Sequence, residues 1–245
     1  MKKLSIILAA TLVVICAGVA YAINRVSPSK KMSQRTVSVE RFHELEVNSA
    51  IEVTYEQTTD NNNTLEISAP DNVIDLVQVK VHHGELSIGF SRSVSFNGSA
   101  NVKVKIKAPL ITEVSLHGAS TFKSNRINIP GHDFEADVAG ASELIINNLN
   151  ALSAEFDASG ASFVKVKKIK ARKIEADASG ASTMEFDGSC NSAEFEASGA
   201  STIKASDLKA LSGEIDAKGA STVSADIQNL YSIDSNGAST VNNKK

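Results

Sequence analysis

Paired carboxylates recur at regular intervals in the second half of this chain, with one residue between the two members of each pair. Oxygen ligands of this kind bind calcium, and glycoside hydrolysis also uses two carboxylates. The pairs are Glu135 and Asp137, Glu155 and Asp157, Glu175 and Asp177, Glu194 and Glu196, and Glu214 and Asp216.

The last four pairs are the calcium candidates: Glu155, Asp157, Glu175, Asp177, Glu194, Glu196, Glu214 and Asp216. The calcium-repeat pattern Gly-Gly-x-Gly-x-Asp is absent, and carboxylates without backbone-oxygen ligands bind calcium weakly. Both points favour a solvated acidic face over a cation site, and no other cofactor is expected. The cations expected to neutralise this face in part are Lys123, Lys165, Lys204 and Lys218.

The tripeptide Gly-Ala-Ser occurs seven times, and its serines are candidate nucleophiles. Seven equivalent catalytic serines are implausible, however, and the Gly-x-Ser-x-Gly nucleophile elbow is absent. A period near twenty is typical of a solenoid, whose repeats bury their apolar faces against one another. The serines are therefore predicted to be structural. The glycines of the seven tripeptides are Gly118, Gly140, Gly160, Gly180, Gly199, Gly219 and Gly237.

Other reactive side chains have simpler explanations. Cys190 is the one cysteine beyond the N-terminal segment, so a disulfide within the remaining chain is excluded. His82 and His83 are adjacent on a predicted hairpin and point to opposite faces, which disfavours a shared metal ion. A basic cluster in one repeat predicts either a solvated face or a contact for an anionic glycan or lipid. Its members are Lys165, Lys167, Lys168, Lys170, Arg172 and Lys173.

Alternation of apolar and acidic residues predicts the elements that hold the carboxylates. In Glu155-Phe156-Asp157-Ala158 and its counterparts the period is two, which indicates a strand with apolar side chains inward and acids outward. A second alternating run follows each Gly-Ala-Ser, so glycine is expected to turn a corner and alanine to occupy its cramped inner angle. The fold is therefore predicted to be all-β, a right-handed parallel β-helix or solenoid with coils of about 20 residues. A helical solenoid is excluded, because Gly-Ala-Ser would interrupt every helix.

Residues 36–110 follow the same pattern less regularly. Asn48-Ser49-Ala50 stands between two alternating runs where a glycine corner is expected, which predicts a degenerate first coil. This irregular N-terminal part is expected to cap one end of the solenoid. Residues 111–241 hold the regular repeats, and residues 36–241 are expected to form a single domain.

The N-terminal residues predict export to the periplasm or to the cell envelope or surface. Lys2 and Lys3 precede an apolar run that ends in Ala20-Tyr21-Ala22, which predicts a signal peptide over residues 1–22. A flexible tether is expected over residues 23–35. An uncleaved membrane anchor is the alternative, because the apolar run is nearly long enough to span a bilayer. The net charge of −3, which loss of the two lysines makes more negative, disfavours nucleic acid as a partner.

Several of these features together resemble a known family. The Phe-x-x-Leu-x-Val segment that begins at Phe42, its small-residue corner and the repeated Gly-Ala-Ser units are similar to the bacterial auto-transporter adhesin, head GIN domain family. The resemblance covers about residues 36–241. It implies a β-helical protein of the cell envelope and supplies no active-site residues.

Two main classes of function fit these observations. The first is a non-enzymatic exported protein, an adhesin or a structural protein, that presents its repeat surface to an envelope or host glycan or to another surface protein. The second is a polysaccharide-acting β-helix enzyme that uses surface carboxylates, and an envelope-stress or scaffold role with a membrane partner is a further alternative. Uniform coils and the absence of tryptophan for sugar stacking favour the first class. Membrane association is expected only through an uncleaved N-terminal segment.

Overall fold

The structure, a computed structural model, describes residues 24–60, 62–91 and 94–244. The predicted signal peptide over residues 1–22 lies outside this part of the chain. The strands of the N-terminal part are β1 Asn24–Val26, β2 Met32–Ser38, β3 Glu44–Val47, β4 Ile51–Gln57, β5 Thr64–Pro70, β6 Val77–His82, β7 Glu85–Phe90, β8 Val94–Phe96 and β9 Val102–Ala108, with a short 3-10 helix at Ile74–Leu76 between β5 and β6.

The repeats form the remaining strands, and no helix in the described residues is long and apolar enough to cross a membrane. Strands β17 to β20 are long because each continues around the bends of its coil. The strands are β10 Glu113–Leu116, β11 Thr121–Ser124, β12 Ile127–Ile129, β13 Phe134–Val138, β14 Glu143–Ile146, β15 Leu149–Ala151, β16 Ser153–Ala158, β17 Phe163–Ala178, β18 Thr183–Ala197, β19 Thr202–Gly219, β20 Thr222–Gly237 and β21 Thr240–Asn243.

Successive coils of the repeat region stack as parallel strands in register. Glu113 is paired with Glu135, and Glu135 is paired with Glu155, so each coil lies on its equivalent one repeat later. In β13 and β16 the apolar residues point inward and the acidic residues point outward, as the alternation predicts. The prediction of an all-β solenoid built from coils of about 20 residues is confirmed.

The N-terminal coils stack in an order that differs from their order along the chain. Strand β3 pairs in parallel with β10 on one side and with β7 on the other, and β4 lies between β11 and β9 in the same way. The terminal coil is therefore formed by β7 and β9. Its free edges are covered by antiparallel strands, β6 against β7 and β5 against β9. Covering these edges prevents them from pairing with another chain.

The prediction of a flexible tether over residues 23–35 is wrong for much of that range. Strand β1 pairs in parallel with β8, and β2 pairs in antiparallel fashion with β5 from Met32 to Ser38. The Arg35 side chain also donates a hydrogen bond of 2.7 Å to the carbonyl oxygen of Val77. Polar composition indicated a solvated segment, but the backbone groups of β5 provide partners that order it.

Aromatic rings stack along the interior from coil to coil. The ring centroids of Phe134 and Phe156 lie 6.0 Å apart, and those of Phe156 and Phe186 lie 5.1 Å apart. At the N-terminal end Tyr55 stacks with Phe122, and its hydroxyl donates to the carbonyl oxygen of Ala108 at 3.0 Å. Because these rings are fully or almost fully buried, each stabilises the fold by roughly 1.5–3 kcal/mol.

The glycine corners form one column along the solenoid. Gly160 has a φ of +78°, and a Cβ placed on it would lie 2.7 Å from the carbonyl oxygen of Gly140. The amide of Ala161 donates to that same oxygen at 2.7 Å, so the backbones approach more closely than a side chain permits. The degenerate corner keeps this conformation without glycine, since Ser49 has a φ of +81°.

The serines that follow the first six glycine corners are buried, and at Ser120 and Ser182 the hydroxyl closes the turn. The hydroxyl of Ser182 donates to the carbonyl oxygens of Ser179 at 2.9 Å and of Ala158 at 3.2 Å. The structural assignment of these serines is confirmed. The alanine beside the glycine, which was expected at an inner angle, is exposed instead, because the chain turns with its serine inward.

We expect Gly160→Ala to lower the free energy of unfolding by about 2 kcal/mol or more, because the new Cβ meets backbone and the φ is unfavourable for alanine. The matched control is Gly131→Ala, where a Cβ would meet no atom within 4 Å. The control is expected to change the free energy of unfolding by less than about 1 kcal/mol. Urea denaturation followed by far-ultraviolet circular dichroism measures both, and equal destabilisation of the two variants would contradict this explanation.

Candidate functional site

Two columns of carboxylates run along one side of the solenoid, and we call this side the acidic face. The first column holds a glutamate in eight successive coils from the capped end, and Ser232 takes this place in the next coil. Its members are Glu85, Glu44, Glu113, Glu135, Glu155, Glu175, Glu194 and Glu214. The second column, two residues further along each strand, contains Glu46, Asp137, Asp157, Asp177, Glu196, Asp216 and Asp234.

The structure brings the predicted calcium candidates together on this face and adds residues that the sequence analysis missed. Glu44, Glu85 and Glu113 extend the first column, and Glu46 and Asp234 extend the second. The alternation of Glu44-Leu45-Glu46 was a usable signal, because it matches the acidic strand of each repeat. The stacking order of β7, β3 and β10 was not readable from the chain, so the continuity of the column was missed.

The middle of the acidic face has no neutralising cation in the described part of the chain. Ion pairs reach the columns at Lys173, which contacts Glu175 and lies 3.1 Å from Glu194, and at Lys218, which contacts Asp216. No ion pair within the described residues involves the other members of the central coils, namely Glu135, Asp137, Glu155, Asp157 and Asp177.

Three of the four lysines expected to neutralise this face lie elsewhere. Lys123 pairs with Glu52, and both Lys165 and Lys204 pair with Glu185, at 2.6 Å and 3.0 Å. These pairs lie on strands beyond the corner, so they belong to a different side of each coil. Of the four lysines, only Lys218 pairs with a carboxylate of the acidic face, as expected.

Crowding of carboxylates changes the protonation behaviour of this face. Withdrawal of solvent first, and then the charges of Glu155, Asp177, Asp137 and Glu135, raise the pKa of Asp157 to about 6. Withdrawal of solvent and then the neighbouring Glu135, Glu44 and Glu85 likewise raise the pKa of Glu113 above its usual value. Asp157 therefore holds its proton at a pH where an isolated aspartate is ionised.

Geometry on the acidic face does not gather the carboxylates around a cation. A shallow depression of about 160 Å³ is lined by acids of three neighbouring coils, and the next depression, of about 240 Å³, includes Glu214 and Asp216. Among the described residues, no three His, Cys, Asp or Glu side chains are grouped closely enough to hold a metal ion. The acids that line the first depression are Glu155, Asp157, Glu175, Asp177, Glu194 and Glu196.

The other candidate residues either lie away from the acidic face or, in the case of the basic cluster, do not form a single patch. Cys190 is buried, and burial raises the pKa of its thiol to about 11, so the thiol is protonated at neutral pH. The expectation that His82 and His83 point to opposite faces is wrong: their rings lie 3.9 Å apart, because His83 has a φ of +50° and the chain bends at the β6–β7 turn. The basic cluster is not one patch, because Lys173 turns to the acidic face while Lys165 pairs with Glu185.

We expect Asp157→Asn to stabilise the protein at about pH 7.5. Because the folded state holds the proton of Asp157 more tightly than the unfolded chain does, the free energy of unfolding falls as the pH rises from about 4 to about 6, and it does not recover above that range. Asparagine removes this loss, which we expect to be about 1 kcal/mol after solvent screening. The Tm at several pH values measures the effect, and the gain should vanish near pH 3.5, where both states are protonated.

Glu185→Gln is the control, because its effect on the Tm at neutral pH is expected to have the opposite sign. Hydrogen bonds from Lys165 and Lys204 hold the pKa of Glu185 below its usual value, so this carboxylate stabilises the fold above about pH 4.5 and the contribution is lost as the pH falls. At neutral pH its replacement should lower the Tm. If both variants shifted the Tm in the same direction, the assigned electrostatic environments would be wrong.

Several solved structures share this fold, among them the following three. One from Parabacteroides distasonis, described as a "putative lipid binding protein", has a TM-score of 0.80 and 16% identity, and the alignment covers 91% of this chain and 100% of that one. A "putative adhesin" from the same species has a TM-score of 0.74, and one from Bacteroides fragilis has 0.72. Both are 18% identical, with 89% of this chain and 100% of theirs covered. At such identities the likeness concerns the fold.

A search among curated protein sequences found no match to the chain. The model of the family "Putative auto-transporter adhesin, head GIN domain" matches residues 41–245. This range holds the Phe42 segment, the degenerate corner and every Gly-Ala-Ser repeat, which are the features that carry the resemblance. The chain therefore belongs to the auto-transporter adhesin, head GIN domain family.

Proposed function

We propose that this protein is an exported, non-catalytic binding protein whose acidic face attaches to a positively charged surface of another envelope or surface protein. The observation that carries the proposal is the stretch of unpaired carboxylates in the central coils, where no cation of the described chain neutralises Glu135, Asp137, Glu155, Asp157 or Asp177. A face that carries such repulsion in isolation gains most when a partner supplies the missing positive charge.

The regular spacing of the columns suits an extended partner. Equivalent carboxylates repeat at about 4.8 Å along the solenoid, so a partner with several basic side chains meets several acids at once. Each exposed ion pair contributes little, about 0.2–1 kcal/mol. Several pairs on one rigid surface act together, because the first contact raises the effective concentration for the next. Such binding weakens with salt.

Membership of the family and the names of the structural neighbours support a binding role. The family model and two of the compared structures carry the word adhesin, and none of the three compared structures is described as an enzyme. The name of the third, a lipid binding protein, makes an amphiphile a second ligand class to include in any screen. Export is supported by the charged and apolar N-terminal sequence and by the family's adhesin label.

One observation favours a second candidate, a glycoside hydrolase. A carboxyl group with a raised pKa, such as Asp157, is the type of group that donates a proton to a leaving sugar. The depression around it, however, measures about 160 Å³, which is below the 300–1,000 Å³ typical of small-ligand sites. Its described lining is acidic except for Ala176 and contains no aromatic residue. A substrate ring would lack both an enclosing site and an apolar platform.

Charge removal on the acidic face tests the proposed function. We expect the triple variant Glu155→Gln, Asp157→Asn and Asp177→Asn to bind immobilised polylysine about tenfold more weakly at low salt, because several pairings are lost together. Biolayer interferometry at increasing sodium chloride should also show a shallower salt dependence than in the unchanged protein. The same comparison is then made with partners captured from the native envelope.

The control triple Glu66→Gln, Asp75→Asn and Glu143→Gln removes the same charge from residues outside the two columns. It should bind almost as well as the unchanged protein, whereas an equal loss would show that net charge alone is responsible. Release of reducing ends from envelope or host polysaccharides, abolished by Asp157→Asn, would replace the binding proposal with the enzymatic one.

A further inference from the structure

The regular stacking of the solenoid is interrupted at its capped end, where the chain leaves the coil between β7 and β9. A pocket of about 510 Å³ opens there, which is within the size range of small-ligand sites. It shares Glu46 with the second column of the acidic face but lies beyond the central coils, whose unpaired carboxylates carry the proposed function. We refer to it as the end pocket, and its floor and wall come from different parts of the chain.

The floor is a sheet formed by β3, β7 and β6, and its outward side chains are polar. One row across the strands consists of Glu46, Ser87 and Lys80. The next row contains Asn48 and Gln78 on either side of Gly89. Because glycine has no side chain, the floor is lowest between the two amides. This gives a concave surface that carries a carboxylate, a hydroxyl, an ammonium group and two amides.

These polar groups are partly fixed and partly free. Ser87 donates a hydrogen bond of 2.8 Å to a carboxylate oxygen of Glu46. A side-chain hydrogen bond from Asn48, with Ser87 and His117, holds the pKa of Glu46 below its usual value, so Glu46 is an ionised acceptor at neutral pH. The Gln78 and Lys80 side chains have no hydrogen-bond or ion-pair partner within the described residues. Donors and acceptors are therefore both available to a ligand.

The described wall is largely apolar, with Ser91 and Ser99 as its polar residues, and it is held in place from two directions. Phe90 and Phe96 lie with their ring centroids 4.7 Å apart in an edge-to-face arrangement, and both line the pocket. Strand β8 is fixed by parallel pairing with β1, and the amide of Asn97 donates to the carbonyl oxygen of Val26 at 2.9 Å. The chain that was expected to be a tether thus anchors the wall of the pocket.

We propose that the end pocket binds a neutral oligosaccharide. Among the described residues that line it, the charged ones are one carboxylate and one ammonium group, which balance each other. Sugars present closely spaced hydroxyls, each a donor and an acceptor, beside apolar C–H faces. The floor supplies matching amide, carboxylate and ammonium groups, and the phenylalanine wall supplies the apolar contact. A lipid chain is disfavoured because the entire floor is polar.

The proposal is tested on the full exported chain with defined probes. Isothermal titration calorimetry with neutral hexasaccharides of glucose, mannose and N-acetylglucosamine should show millimolar or tighter binding to at least one of them. Lys80→Ala and Gln78→Ala, which alter exposed side chains of the floor, should each weaken that binding about tenfold or more. The matched control Lys103→Ala removes an exposed lysine that does not line the pocket, and it should leave the affinity within about twofold of the unchanged protein.

The triple variant of the acidic face separates this proposal from the proposed function, because it should keep full sugar binding. Oligogalacturonate and phosphatidylethanolamine vesicles serve as the anionic and lipid comparisons. Binding to either of these without binding to a neutral sugar would overturn the proposal, as would binding to no hexasaccharide. Equal losses in Lys80→Ala and Lys103→Ala would also overturn it, since the sugar would then bind elsewhere.

Discussion

The close stacking of one corner backbone on the next is the constraint on which the rest of the structure depends. The amide of Ala161 lies 2.7 Å from the carbonyl oxygen of Gly140, and the same bond joins Ala181 to Gly160. Such an approach leaves no room for a Cβ. It therefore determines where each coil starts relative to its neighbour, and the register of the strands that flank the corner follows from it.

Fixed register has an electrostatic consequence on the acidic face. Because each outward residue stacks on its equivalent in the next coil, a repeat that contains glutamate and aspartate produces columns of like charge. Two unit charges about 4.8 Å apart repel by roughly 0.9 kcal/mol in water and by more near a protein surface. Withdrawal of solvent raises the pKa of Asp157, and this repulsion raises it further. The core and corners maintain the fold in spite of this repulsion, and the repulsion leaves the face ready for a cationic partner.

The N-terminal part serves both the stability and the concave surface of the molecule. Its antiparallel strands β5 and β6 cover the edges of the terminal coil, while the excursion between β7 and β9 forms the wall of the end pocket. Regular coils produce a flat face, because identical turns place identical side chains at equal heights. A pocket of several hundred cubic ångströms requires a break in the repeat, and the chain places that break where the stacking order also changes.

The sequence by itself determined the corners and the inward and outward faces of the acidic strands in the repeats, but not the exposed position of the alanine at each corner. Period-two alternation and a glycine every twenty residues are local signals, and Glu155-Phe156-Asp157-Ala158 has one inward face in any parallel stack. It also indicated the degenerate corner at Asn48-Ser49-Ala50. What it could not determine was which coil lies beside which, because a strand edge accepts any neighbour of suitable pattern.

Only the tertiary structure decided that β3 lies between β7 and β10, that Lys173 rather than Lys165 reaches the acids, and that residues 24–26 support a pocket wall. These are contacts between residues far apart in the chain. They depend on packing geometry that no local pattern encodes.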